Sequence, residues 1–118
     1  MSFGDKLKGE RTEREVSLID LHEETGLSTG YLSRIENEQQ IPAPRYVEKI
    51  ASGLDLEDDE VRELLEERDK LALVERFGLD PEVADIAVAL NERLEPDQRA
   101  AVLEDVRERI ESVTNGGA

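Results

Sequence analysis

Residues 17 to 38 carry the chain's most specific chemistry. They form two short stretches with helical apolar periodicity joined at Gly26, and the second turns Thr29, Gly30, Ser33 and Arg34 away from its apolar side. That outward face is short, polar and narrow. It offers hydroxyls and one guanidinium fork for hydrogen bonding, with no nucleophile and base beside each other. Ser17 is placed to cap the first stretch, and Asp20, three residues on, can reach back as in a capping box. Leu18 and Leu21 then face inward together. Gly26 stands where the chain must leave a helix with φ > 0, which costs glycine nothing. Ser28 supplies a second cap, and Leu32 and Ile35 recur at helical spacing on the buried side.

Tyr31-Leu-Ser-Arg-Ile-Glu-Asn37, the distance to Pro42 and the run Val47-Glu-Lys-Ile-Ala-Ser-Gly-Leu54 extend the pattern. With the two stretches before them, they resemble the helix-turn-helix of the phage repressor and Cro family, also called the XRE family. The resemblance covers roughly residues 3 to 66. It implies an all-α protein, with a five-helix repressor-like helix-turn-helix domain over residues 1–66, and the helical spacing behind it makes residues 67–118 a C-terminal helical extension.

By position, the resemblance implies direct base contact by Thr29, Gly30, Ser33 and Arg34. A guanidinium at Arg34 can donate two hydrogen bonds to guanine O6 and N7, worth about 1–3 kcal/mol against a wrong base. The bland alternative is a solvated pair with Glu38 one turn on, worth little. Thr29 can meet a thymine methyl or a phosphate, and Gly30 permits close approach. Ser17, Ser28, Tyr31, Arg45, Lys6 and Arg11 are the expected contacts to the DNA backbone. The sequence also departs from the family. Leu18 stands where a phosphate-binding glutamine is frequent, His22 where a small alanine is usual, and Glu38 where a glycine often ends the second helix. Asn37 is therefore expected to take the left-handed position, and His22 to pack differently or tip outward.

These helices need support from the rest of the chain. Phe3, Leu7 and Val16 predict a first helix over about residues 3 to 14 beneath the motif, with a basic face of Lys6, Lys8, Arg11 and Arg14 free to touch phosphate. Residues 38 to 44 hold two prolines one residue apart and read as a loop, with Pro44 in the first turn of a fourth helix that ends at Gly53. Tyr46, Val47, Ile50 and Ala51 line that helix, and Leu54 and Leu56 plug the core. Asp55 through Glu60 suit the positive N-terminal end of a fifth helix, residues 57 to 77, with apolar positions at Val61, Leu64, Leu65, Leu71, Val74 and Phe77. Asp80-Pro81 and Glu95-Pro96 each predict a further helix start. The first of these helices displays Val83, Ile86, Ala87, Leu90 and Leu94; the second displays Val102, Leu103, Val106, Ile110 and Val113 and ends at Asn115-Gly-Gly.

Such a helix must bury its single stripe against something. We expect a second chain, with dimerisation through Ile86, Leu90, Leu94, Val102, Val106 and Ile110; folding back on the front domain is the alternative. A two-fold dimer would present two recognition helices to half-sites about 34 Å apart, hence an inverted-repeat operator in double-stranded DNA.

Composition bounds the function. The chain of 118 residues, 37% of them apolar, can build one modest core. There is no cysteine, so no disulfide framework or thiolate metal site, and a single histidine makes no metal site. No cofactor and no enzymatic activity are expected: carboxylates such as Glu63, Glu66 and Glu67 recur at helical intervals as a solvated face, and no glycine-rich phosphate loop is present. With aromatics at 3%, a stacking platform for single strands has no support. No apolar run approaches the ~20 residues of a membrane span and no signal peptide opens the chain, so the expected location is the cytoplasm.

The net charge of −15 is the reverse of a basic nucleic-acid footprint. Most of the surplus lies behind the motif. Residues 1–45 hold six Lys and Arg against nine Asp and Glu, net −3, whereas residues 46–118 hold nine against twenty-one, net −12. Two readings compete. One is adaptation to high internal salt, consistent with eleven Arg against four Lys; there the repulsion from DNA is screened within ~3 Å at 1 M salt. The other makes the acidic rear a binding surface for a basic protein partner, as in an antitoxin-like interaction module.

Overall fold

The computed structural model describes residues 2–116, which form seven helices and no strand. In chain order these are α1 (Phe3–Glu13), α2 (Leu18–Thr25), α3 (Thr29–Glu36), α4 (Pro44–Gly53), α5 (Asp58–Phe77), α6 (Pro81–Arg93) and α7 (Pro96–Gly116). Each start has a chemical cause. The Ser17 hydroxyl accepts from the Asp20 N–H at 3.0 Å while the Ser17 N–H donates to the Asp20 carboxylate at 3.1 Å, so the capping box of α2 is closed. Ser28 Oγ accepts from the Tyr31 N–H at 3.1 Å and starts α3. Prolines occupy the first turns of α4 and α6.

Helices α1 to α5 share one core, made of Phe3 and Leu7, Leu21, Leu32 and Ile35, Val47 and Ile50, Leu54 and Leu64. Burial of each such side chain is worth about 1.5–3 kcal/mol relative to leaving it in water. Every helix of the front therefore contributes a side chain to one core. Gly4 sets the crossing of α1 over α3, because a Cβ there would collide with the backbone carbonyl of Glu36. Gly26, at φ 76°, makes the left-handed exit between α2 and α3 that its position predicts.

The left-handed residue after α3 lies one position later than expected. Asn37 stays at φ −92°, and its side-chain amide donates to the Ser33 carbonyl at 3.0 Å; Glu38 itself takes φ 58°. With the Asn37 amide committed one turn back, the chain turns one residue later, where a carboxylate side chain bears the strain. Glu15 and Asp55 are also left-handed, at φ 56° and 54°.

Helix α5 is 20 residues long and runs unbroken across residue 66, so the expected domain division falls inside a helix. Its front half enters the core through Leu64, and its rear half carries α6. Against α5, α6 uses a face beside the apolar stripe expected to meet a second chain. Ala84 and Val88 are buried against α5, flanked by ion pairs Lys70–Asp85 at 3.1 Å and Arg93–Glu66 at 2.9 Å, while Val83 and Ile86 point to solvent. Small side chains let the helices approach closely, and the flanking pairs fix that face. Phe77, expected on the apolar face of α5, is 72% exposed. Helix α7 buries none of its residues. It is tied to α6 by Arg99, whose guanidinium donates to the carbonyls of Leu90, Asn91 and Leu94 at 3.0 to 3.1 Å and so caps the end of α6.

Candidate nucleic-acid interface

Helix α3 is held from behind by Leu32 and Ile35 in the core and by one part-buried ion pair. Arg11 of α1 donates Nε to Glu36 Oε2 at 2.7 Å and Nη2 to Oε1 at 3.0 Å, a bidentate fork, and Nη1 to the Val16 carbonyl at 2.9 Å. The hydrogen bond to Glu36 raises the Arg11 pKa above its usual value. This removes Arg11 from the expected phosphate contacts, because its donors are spent inside the domain. Lys6 is likewise turned to Glu63 at 3.0 Å, and Arg14 to Glu10 at 2.6 Å and Glu60 at 3.2 Å. The basic face expected on α1 is thus largely neutralised by carboxylates of α1, α3 and α5; Lys8 alone of its four cations is exposed and without a carboxylate partner among the described residues.

The outward face of α3 is intact. Thr29, Gly30 and Arg34 are exposed and Ser33 is half-buried. Arg34 Nε donates to the Gln40 side-chain oxygen at 3.2 Å instead of pairing with Glu38. A neutral amide orients the guanidinium and leaves its charge free. Ser17 and Ser28 are both exposed at helix N-termini, each with its hydroxyl already accepting a cap hydrogen bond.

Beside this face the first turn of α4 adds a cluster that the sequence reading only half identified. Tyr31 and Tyr46 meet edge to face, with ring centroids 6.0 Å apart and planes at 77°, and the Arg45 guanidinium lies 4.7 Å from the centre of the Tyr46 ring. Burial raises the Tyr31 pKa, followed in size by the neighbouring Tyr46, while Arg45 and Arg34 pull it down, as expected if both cations lie near the hydroxyl. Tyr46 was read only as a lining residue of α4, and Gln40 only as loop. The available signal was an aromatic next to an arginine at the start of a helix; Gln40, six residues from Arg34, gave none. Lone His22 tips outward, its Nδ1 2.8 Å from the Leu27 carbonyl.

Of the expected dimerisation residues, Ile86 is 62%, Val102 38%, Val106 40% and Ile110 56% exposed; Leu90 and Leu94 are half-buried at the α6–α7 junction. Among the described residues no group of His, Cys, Asp or Glu is arranged to hold a metal ion, and no helix is long and apolar enough to cross a membrane.

Comparison with known proteins places the front of this fold. A family model described as a helix-turn-helix domain matches residues 2–64. The HTH-type transcriptional regulator SinR of Bacillus licheniformis is 38% identical over 69 residues, covering 58% of this chain and 60% of that protein. The regulator of the same name from Bacillus subtilis (strain 168) is 38% identical over 67 residues, covering 56% of this chain and 58% of its own length. The chain thus spans about three fifths of the length of the curated relatives it matches. No solved structure gives a significant match. From the geometry of α2 and α3 and from these matches, the chain belongs to the helix-turn-helix domain family of the repressor, or XRE, type.

Proposed function

We propose that the protein is a sequence-specific, double-stranded-DNA-binding transcriptional regulator, a dimeric repressor that inserts α3 into the major groove and occludes a promoter. One observation carries this reading. The exposed face of α3, backed by buried Leu32 and Ile35, presents Thr29, Gly30 and an Arg34 guanidinium whose only partner among the described residues is the neutral Gln40. The names of the two Bacillus relatives support it.

In this account Arg34 reads a guanine edge, Thr29 and Ser33 contact adjacent bases or phosphate, and Gly30 keeps the helix surface low. Ser17, Ser28, Tyr31 and Arg45 meet the DNA backbone. The exposed stripe of Val102, Val106 and Ile110 on α7, with Ile86 on α6, supports pairing with a second copy and hence an inverted-repeat operator.

Selection of bound duplexes from a random double-stranded library tests the proposal. Enrichment of an inverted repeat with a guanine in each half-site is expected. Failure to enrich any duplex at any salt concentration overturns it and favours the second reading, a module whose acidic rear binds a basic partner.

A further inference from the structure

Three of the four cations on α1 are paired with carboxylates, whereas Arg45 is held by an uncharged ring. A carboxylate fixes a guanidinium and cancels its charge. An aromatic face fixes it and leaves the charge available to a further anion.

The geometry is specific to that purpose. Neighbouring residues on a helix diverge by about 100°, so Arg45 reaches the ring of Tyr46 only by folding across the first turn of α4. The contact is to the ring face, 4.7 Å to its centre, and the Nη2 to hydroxyl distance of 3.5 Å makes the phenol oxygen a minor partner. Tyr46 is in turn located by Tyr31 of the recognition helix, edge to face at 6.0 Å. The position of the Arg45 cation is therefore referred to α3 through two rings. Arg45 is exposed and has no carboxylate partner among the described residues, and the first turn of α4 has no side-chain cap.

We propose that Tyr46 is a positioning residue of the DNA interface, holding the Arg45 guanidinium beside the recognition helix as a pre-aimed phosphate contact. The proposal rests on the DNA-binding reading above. A mobile arginine would lose rotamer freedom on binding; one already laid on a ring has lost most of it beforehand.

The test is the salt dependence of DNA binding by the full chain and its variants Arg45→Ala, Tyr46→Leu, Tyr46→Phe and the Arg45→Ala/Tyr46→Leu double variant. Arg45→Ala is expected to reduce the slope of log Kobs against log salt by about 1 per bound protomer, equally on specific and random duplexes. Tyr46→Leu is expected to weaken binding about twofold to fivefold and lower the slope toward that of Arg45→Ala. Tyr46→Phe retains the ring and is expected to behave as the parent, and the double variant is expected to match Arg45→Ala alone. A Tyr46→Leu variant with the parent's affinity and slope, or losses that add in the double variant, would overturn the role of Tyr46. A parent that binds no duplex overturns the DNA-binding reading as well. If Tyr46→Leu does not fold, NMR of the parent decides: upfield-shifted Arg45 side-chain protons support the stacked guanidinium, and unshifted ones refute it.

Discussion

Helices α1 to α5 and helices α6 and α7 start in the same way, with a serine, acidic or proline residue at the first turn, yet end in different circumstances. In the front, nine large side chains from five helices close on one another, and even the charged Arg11 and Glu36 are drawn in. In the rear, α6 buries Ala84 and Val88 on α5, and α7 buries nothing while exposing Val102, Val106, Ile110 and Val113. Capping and periodicity are local and decide whether a helix forms. Whether its stripe is satisfied depends on what lies opposite, and for α7 the described residues supply nothing.

Arg11 offers the sharpest way to break this contrast. Arg11→Ala leaves the Glu36 carboxylate, whose side chain is only 6% exposed, without its partner, and should cost about 3–5 kcal/mol in urea unfolding. Replacing both members by apolar residues, Arg11→Met with Glu36→Leu, should recover most of that loss. Next in size is a matched pair of isoleucines. Ile35→Ala should cost about 2–5 kcal/mol because it opens a cavity in the front core, whereas Ile110→Ala should change the unfolding free energy of the isolated chain by less than about 0.5 kcal/mol. If Ile110→Ala is destabilising only at high protein concentration, sedimentation velocity should show a dimer that the variant loses.

A smaller effect of opposite sign is expected at the turn after α3. Glu38→Gly relieves a left-handed non-glycine residue at φ 58° and should raise stability by about 1 kcal/mol, read from the thermal midpoint. The smallest is a pH effect. The backbone N–H of Ser17 holds the Asp20 carboxyl below its ordinary pKa, and that of Glu57 does the same for Glu60, which Arg14 lowers further. A carboxylate whose folded pKa is depressed contributes stability above its unfolded pKa and loses it as pH falls through the folded value. Acid titration should therefore weaken the starts of α2 and α5 from the ordinary carboxylate range downward, and Asp20→Asn with Glu60→Gln should flatten that limb of the stability profile. Asp20 is exposed and Glu60 only half-buried, so the change is modest.

Much of the front was legible in the sequence because its signals are short-range. Ser17 with Asp20, Gly26, Ser28, Pro44, Gly53 and Gly78 each mark a boundary that the helices respect to within a residue. The core positions Phe3, Leu7, Leu21, Leu32, Ile35, Val47, Ile50 and Leu64 follow from 3.6-residue periodicity, and Leu54 from its place just after the Gly53 helix end. The electrostatics of the site were not legible. The basic cluster of α1 looks free in sequence because Glu36, Glu60 and Glu63 lie 25 to 57 positions from their partners, and only the fold brings them together. The same holds for Tyr31 on Tyr46. For α6, two registers of small and large apolar residues are nearly equivalent on a helical wheel. Lys70 and Glu66 of α5 decide between them, and their positions cannot be read from α6 itself.

That redistribution of charge shapes the proposed interface. In the first four helices, Lys8, Arg34, Arg45 and Lys49 are exposed and lack a carboxylate partner among the described residues, so a salt slope no steeper than about −4 per bound protomer is expected. Affinity then has to come from base contacts more than from phosphate attraction. The most direct test is a fluorescence titration of an enriched duplex and its scrambled counterpart at fixed salt, with the parent and Arg34→Ala side by side. The parent is expected to prefer the enriched duplex, and Arg34→Ala to lose about 5- to 150-fold of that preference while keeping its weak binding to the scrambled one. Equal preference in both proteins, or a parent that cannot tell the duplexes apart, would contradict that expectation.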